Sequence, residues 1–262
     1  MFRRMSVANV NGQEISYTDS GGDADAIIFS HGFLMDGTMF DSQVAAARDE
    51  FRCVTWDQRG HGGTPAPGPF TYWDSADDAL ALLTHLGIDR ATFAGMSQGG
   101  FVSLRAALRA PERVRGLILI DTQSGLEDPD ALPLYEAMHE EWVTNGPAAV
   151  QETVAALILG SGIDAQDWYV KWGAADGAAF TQAFRTLVDR DDITGRLAEI
   201  TQPTLIIHGS EDAAIPMWRA EQLRDGIPDV RGLVVVEGAG HASNVSHPEP
   251  VNRAVLDFLR AV

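Results

Sequence analysis

Six short runs of apolar and β-branched residues recur along the chain: Ala26–Ser30, Cys53–Trp56, Ala91–Ala94, Leu117–Ile120, Thr204–Ile207 and Leu233–Val236. They are continuous, whereas a strand wetted on one face alternates apolar with polar residues; continuous runs suit strands covered on both faces, as in a parallel sheet. Helix-like segments fall between most of them, at Ser75–Leu86, Phe101–Arg109, Met217–Arg224 and Val251–Arg260. The first has Ala79, Leu82, Leu83 and Leu86 at helical spacing, and the Ser75-x-x-Asp78 pattern predicts a capping box at its start. Ahead of these, Ser6–Val10 and Glu14–Thr18 flank Asn11-Gly12, a pair that supplies the positive φ angles of a tight hairpin turn. The pattern predicts an α/β fold: a mostly parallel, twisted sheet of about eight strands with helices on both faces.

The rhythm breaks between residues 125 and 192. No strand pattern appears there, but helical patterns do, together with Trp142, Trp168, Tyr169, Trp172, Phe180 and Phe184. Nearly seventy residues cannot form a structureless loop inside a compact domain. The expectation is a helical cap at 125–192, inserted in a core domain made of 1–124 and 193–262. This segment holds thirteen acids against Lys171, Arg185 and Arg190, so it carries −10 of the chain's −18. A chain with 19 basic and 37 acidic residues is a poor partner for nucleic acid or an anionic membrane, both of which need a basic face. If the cap covers the site, its field should slow anionic substrates; the same acids also serve as a solvated face kept for solubility. The longest apolar runs are strand-sized, and no apolar run follows the opening MFRRM, which reads as no signal peptide. One cysteine, Cys53, leaves no internal disulfide framework and no Cys-rich metal site. The expectation is a soluble cytoplasmic protein acting on a small molecule, with a homodimer left open.

Gly95-Met96-Ser97-Gln98-Gly99 follows one predicted strand and precedes a predicted helix. A serine between two glycines at that junction is the nucleophile-elbow pattern, in which small flanking residues let the backbone pass and leave the hydroxyl exposed. Alone the pattern also suits a plain turn or a phosphate loop. Ser30-His31-Gly32-Phe33 ends an earlier strand, Glu211-Asp212 follows a later one, and Gly238-Ala239-Gly240-His241 comes after the last. Trp56-Asp57-Gln58-Arg59-Gly60-His61-Gly62 adds a glycine-rich turn.

In these residues, taken in this order, the chain resembles the serine-nucleophile branch of the α/β-hydrolase superfamily, which includes esterases, lactonases and haloperoxidase-like proteins. The resemblance spans essentially the whole length. It implies Ser97 as nucleophile, His241 as base and Asp212 as the acid that orients the imidazole. It also implies an oxyanion hole from the backbone N–H groups of Phe33 and Gln98. Asp121, at the end of Leu117–Ile120, competes for the acid role, because some relatives place the acid there; the loop just before the histidine favours Asp212. His31, His61, His208 and His247 read as structural histidines, and Asp57 with Arg59 as an ion pair fixing a loop. Trp142, Trp168 and Trp172, with Phe33, are expected to receive an apolar acyl group. Epoxide and haloalkane opening are disfavoured, because relatives doing that chemistry use aspartate at the elbow. No H-E-x-x-H spacing and no G-x-G-x-x-G after the first core strand occur, so neither a metal nor a cofactor is expected. The implied reaction is hydrolysis of a carboxylic ester or lactone. Carbon–carbon bond hydrolysis of a vinylogous diketone and a ligand receptor with an intact triad are the alternatives.

Overall fold

A computed structural model describes residues 5–160, 163–175 and 177–262. Strands β1 (Ser6–Val10) and β2 (Gln13–Asp19) form the expected hairpin, with Asn11 at φ 48° and Gly12 at φ 73°. The six apolar runs become β3 (Ala26–Ser30), β4 (Arg52–Trp56), β5 (Ala91–Met96), β6 (Val114–Ile120), β7 (Thr204–Gly209) and β8 (Val230–Val236). They form one eight-stranded sheet in the order β1-β2-β4-β3-β5-β6-β7-β8, parallel from β4 onward. β3, β5 and β7 are buried at every position and β6 at every position but Arg115, which is why their sequences do not alternate. β8, at the edge, is only half-buried.

Helices α1 (Asp41–Ala47), α2 (Tyr72–His85) and α3 (Gln98–Arg109) precede the insertion. After it come α8 (Met217–Gly226), the short α9 (Ser243–Ser246) and α10 (Pro248–Leu259). Two apolar clusters fill the two faces. One gathers α2, α3 and α8; the other gathers α1 and α10 and runs on into the inserted segment. Between β6 and β7 lie α4 (Leu132–Asn145), α5 (Gln151–Leu159), α6 (Gln166–Gly173) and α7 (Gly177–Val188). Most of their acids are solvent-exposed. Among the described residues, no helix is long and apolar enough to cross a membrane.

Two local expectations are corrected. α2 starts one turn earlier than Ser75, with Thr71 as N-cap and a reciprocal capping box to Asp74. Both Thr71-x-x-Asp74 and Ser75-x-x-Asp78 fit the pattern, but Asp78 is drawn elsewhere. Arg59 donates to both Asp78 oxygens at 2.6 and 2.8 Å, and Asn11 adds a bond at 2.7 Å. Arg59 therefore does not pair with Asp57. Asp57 instead accepts the backbone N–H groups of Gly37 and Gly63, each at 2.9 Å, and so joins two loops.

The Asp78 side chain is fully buried and that of Arg59 is 11% exposed. Removing one partner from such a pair leaves a buried charge without compensation. Asp78→Ala should therefore cost about 3–5 kcal/mol in chemical denaturation. Glu50→Ala, which breaks an exposed pair with Arg260, should leave the midpoint nearly where it was. Equal losses in the two variants would contradict this assignment of the buried charge.

Candidate active site

The parallel register brings strand ends level: Met96 pairs with Ile120, Ile120 with Ile207, and Ser30 with Gly95. The residues that follow these ends, Ser97, Asp121 and the Gly32–Phe33 turn, therefore gather at one rim. Ser97 sits between β5 and α3 with φ 51° and ψ −118°, a strained conformation for a residue with a Cβ. Its N–H donates to Ile120 O at 2.9 Å, and its carbonyl accepts from Thr122 Oγ1 at 2.7 Å and from Gly100 N–H at 2.8 Å. The glycines around it are required by space. A Cβ on Gly95 would stand 2.1 Å from Gly99 O, and one on Gly99 only 1.9 Å from Ser30 O.

His241 Nε2 lies 2.9 Å from Ser97 Oγ, and His241 Nδ1 lies 2.8 Å from Asp212 Oδ2. The other Asp212 oxygen accepts the N–H groups of Ala214 and Ile215, both at 2.9 Å. Burial alone would raise the Asp212 carboxyl, but the His241 charge and hydrogen bond outweigh it and hold the carboxyl below its ordinary value. Burial likewise opposes the His241 imidazolium; Asp212, with lesser help from Asp121 and Glu127, lifts its pKa above the ordinary histidine value.

Asp121 does not touch the imidazole. Its φ is 46°; one oxygen accepts Gly209 N–H at 2.7 Å, and the other accepts Ser243 N–H at 3.0 Å and Ser243 Oγ–H at 2.6 Å. It thus ties β6 to the loops that carry Asp212 and His241. Complete burial, then the Asp212 charge, push it up to about 7. His208 lies beneath: its Nε2–H donates to Ile215 O at 2.8 Å, and its Nδ1 stands 4.0 Å from Asp121. Asp121, His208 and Asp212 offer ligand atoms within 4.8 Å of one another. A metal there would have to take Asp212 from His241 and Asp121 from its three donors, so the site's own bonds oppose it.

Of the other histidines read as structural, His31 and His61 are buried beside the turn that carries Phe33. Gln58 N–H donates to His31 Nε2 at 2.9 Å, which puts the His31 proton on Nδ1, facing Gly32 O at 2.8 Å. This bonding pins the turn before Phe33. His61 packs edge-on against His31 and Phe33, and burial pushes its pKa down to about 3. His247 is the N-cap residue of α10 but bonds Ser246 Oγ instead of capping the helix. As the first residue of α3, Gln98 has a backbone N–H with no helical partner, beside Ser97.

The relay opens into a cavity between the sheet rim and the inserted helices, with Phe33, Met96, Trp142, Ile158, Phe180 and Phe184 on its apolar wall. Trp142 stacks on Phe180 at 4.7 Å. Trp168 and Trp172 are corrected: neither lines this cavity. Trp172 donates to Leu34 O at 2.6 Å, and Lys171, lying over the Trp168 ring at 4.1 Å, donates to Asp36 at 3.1 Å, so Trp172 and Lys171 fasten α6 to the core beside a separate groove. Three wall residues of α4, Tyr135, Met138 and His139, went unassigned in the sequence. With Trp142 they fall at i, i+3, i+4 and i+7, one helical face that could have exposed them.

Histidine-selective NMR titration should find His241 losing its proton above pH 6.5, with the midpoints of His31 and His208 below it, where burial holds them. Asp212→Asn should lower the His241 midpoint. A His241 midpoint below the ordinary value, unmoved by that substitution, would contradict the described pairing.

A model of the α/β-hydrolase fold matches residues 25–248. The chain is 33% identical over 249 residues to RutD of Rhizobium rhizogenes, which carries the name of a carbamate hydrolase, covering 91% of this chain and 94% of that protein. It superposes on the enol-lactonase of Burkholderia xenovorans with TM-score 0.86 and 28% identity, over 97% of this chain and all of that one. A thermophilic esterase of Thermogutta terrifontis superposes with TM-score 0.88 and 27% identity, over 98% of each chain. On fold, site order and whole-length similarity alike, the chain belongs to the α/β-hydrolase family.

Proposed function

We propose that the protein is a serine hydrolase that cleaves a carboxylic ester or lactone of a small, neutral, largely apolar substrate through an acyl-enzyme on Ser97. The observation that carries this reading is the continuous hydrogen-bonded line from Ser97 Oγ through His241 to Asp212, opening into an apolar cavity. His241 Nε2 takes the Ser97 proton as Oγ bonds to the substrate carbonyl carbon. The same imidazolium then gives that proton to the departing alkoxide as the carbon–oxygen bond breaks. Asp212 stays ionised, fixes the proton on Nδ1 and stabilises the cation that forms at His241. The carbonyl oxygen becomes an oxyanion facing the N–H groups of Phe33 and Gln98, each worth about 3 kcal/mol if lost. Water, deprotonated by His241, then releases the acid and restores Ser97. Relatives named for ester, enol-lactone and carbamate hydrolysis share this fold, and all three bond types present a carbonyl that a serine can attack.

The test is a panel of esters, lactones, a carbamate and a ring-fission dienone assayed side by side with Ser97→Ala. A fluorophosphonate should label Ser97 stoichiometrically as turnover stops. kcat/KM should rise with pH as His241 loses its proton, with a midpoint above 6.5 because Asp212 raises that pKa. Asp212→Asn should lose about 10⁴-fold in kcat, since the amide favours the wrong tautomer, and Asp121→Asn far less. Labelling elsewhere with parallel loss of activity would sink the Ser97 assignment. Turnover confined to the dienone would move the reaction to carbon–carbon cleavage, and slow single-turnover modification with ligand-dependent partner binding would make it a receptor.

A further inference from the structure

Outside the relay, three titratable side chains line the cavity: Glu127, Tyr135 and His139. His139 is already engaged, with Nε2 3.1 Å from Thr181 Oγ1 and its ring stacked on Phe184 at 4.3 Å. Glu127 and Tyr135 are not fully engaged. The Glu127 side chain is 9% exposed, and its Oε1 accepts from Arg190 Nη1 at 2.6 Å. Among the described residues no donor reaches its second oxygen. The guanidinium of Arg190 stays behind it, bonded to Gly125 O and Leu187 O and lying over the Phe101 ring at 4.4 Å. Arg190 does not line the cavity, so the chamber meets the carboxylate and not its partner.

The Tyr135 hydroxyl has no hydrogen-bond partner among the described residues. Burial, and then the charge of Glu127, push the phenol up to about 12, so it keeps its proton. Both groups reach the relay electrostatically: Glu127 contributes to the raised His241, and Asp212 acts on Tyr135. A carboxylate with a spare oxygen beside an unpartnered phenol, in a chamber otherwise mostly apolar, is a recognition surface for hydrogen-bond donors.

We infer that Glu127 and Tyr135 form the specificity-determining wall of the cavity, accepting a substrate arm that ends in an N–H or O–H donor and rejecting one that ends in a carboxylate. This rests on the proposed reading that the cavity holds the substrate of Ser97 and departs from it on one point: the far end of the substrate arm carries a hydrogen-bond donor, and an ammonium is the strongest probe of it. A donor, above all an ammonium, gains a charge-assisted hydrogen bond to Glu127, whereas a carboxylate meets a like charge where little water screens it. Any field from the exposed acids of 125–192 would fade with salt, whereas Glu127, one of the same thirteen, lines the cavity with its side chain 9% exposed, where salt screens it less.

The test uses p-nitrophenyl esters of one hexanoyl chain ending in ammonium, methyl or carboxylate. The ammonium ester should have the highest kcat/KM and the carboxylate ester the lowest, at low salt and at 0.5 M salt alike. Glu127→Gln should shrink the ammonium-to-carboxylate ratio at least about tenfold, the equivalent of 1.4 kcal/mol. Tyr135→Phe should lower the ammonium-to-methyl ratio several-fold. Should Glu127→Gln unfold because Arg190 is left unpaired, Glu127→Gln with Arg190→Gln removes both charges and should show the same shrinkage. A binding arm keeps the two readings apart: calorimetry on Ser97→Ala with the matching amides of the ammonium and carboxylate chains. If wild-type protein hydrolyses none of the esters, the ester reading fails, and the amides still report whether Glu127 selects the ammonium. Ratios and amide affinities unchanged within twofold in the Glu127 and Tyr135 variants would overturn the inference.

Discussion

The passage of α3 across the ends of β3 and β5 is the contact on which the rest of the site depends. Gly99 presses against the backbone of Ser30, Gly95 against Gly99, and Gly100 against the Thr122 side chain, each closer than any Cβ could come. That approach forces Ser97 into φ 51°, and the cost, about 1–3 kcal/mol for such a conformation, is offset by the bond its N–H donates to Ile120 O and those its carbonyl accepts from Thr122 and Gly100. It also sets the first free N–H of α3 beside Ser97, at the positive end of the helix dipole. The strained turn and the close packing are one feature.

A second layer of buried polar groups carries this geometry to the loops. Asp121 bonds Gly209 and Ser243, so the end of the strand beside the elbow holds both the Asp212 loop and the His241 loop. Beneath them His208 holds Ile215, and Ile215 in turn donates its N–H to Asp212. Across the rim, His31 clamps Gln58 and the turn before Phe33. These groups sit in a region with little water, where each bond is worth more and each orphan costs more. Three loops from distant parts of the sequence are thereby held in register.

Most of the frame was legible in the sequence, because strands buried on both faces write themselves as continuous apolar runs and glycines mark close approaches. The hairpin and the six core strands could be placed that way; Ser97, His241 and Asp212 were singled out by the order of motifs in which the chain resembles the α/β-hydrolases. The errors came where one local pattern had two solutions. Thr71 and Ser75 head equally good capping patterns, and the choice was made by Arg59 reaching Asp78 from another part of the chain. Asp57 beside Arg59 suggested a pair, but the backbone turned Asp57 toward Gly37 and Gly63. The tryptophans were ambiguous for a related reason: an aromatic side chain serves a cavity or a seam equally well, and only tertiary placement separates Trp142 from Trp168 and Trp172. Tyr135 and Glu127 carried no pattern of their own, since a polar residue facing a cavity looks in sequence like one facing solvent.

The central claim, a covalent acyl-enzyme on Ser97 driven by His241 and Asp212, is met most directly by rapid-quench mass spectrometry during turnover of a p-nitrophenyl ester. The account predicts a burst of nitrophenolate of about one per protein molecule whenever deacylation is the slower step. The matching acyl mass should appear on the peptide containing Ser97, be absent from Ser97→Ala, and accumulate more slowly in Asp212→Asn. Full turnover with no acyl adduct at any quench time, under conditions where deacylation is made limiting, or an adduct on a different residue, would contradict it.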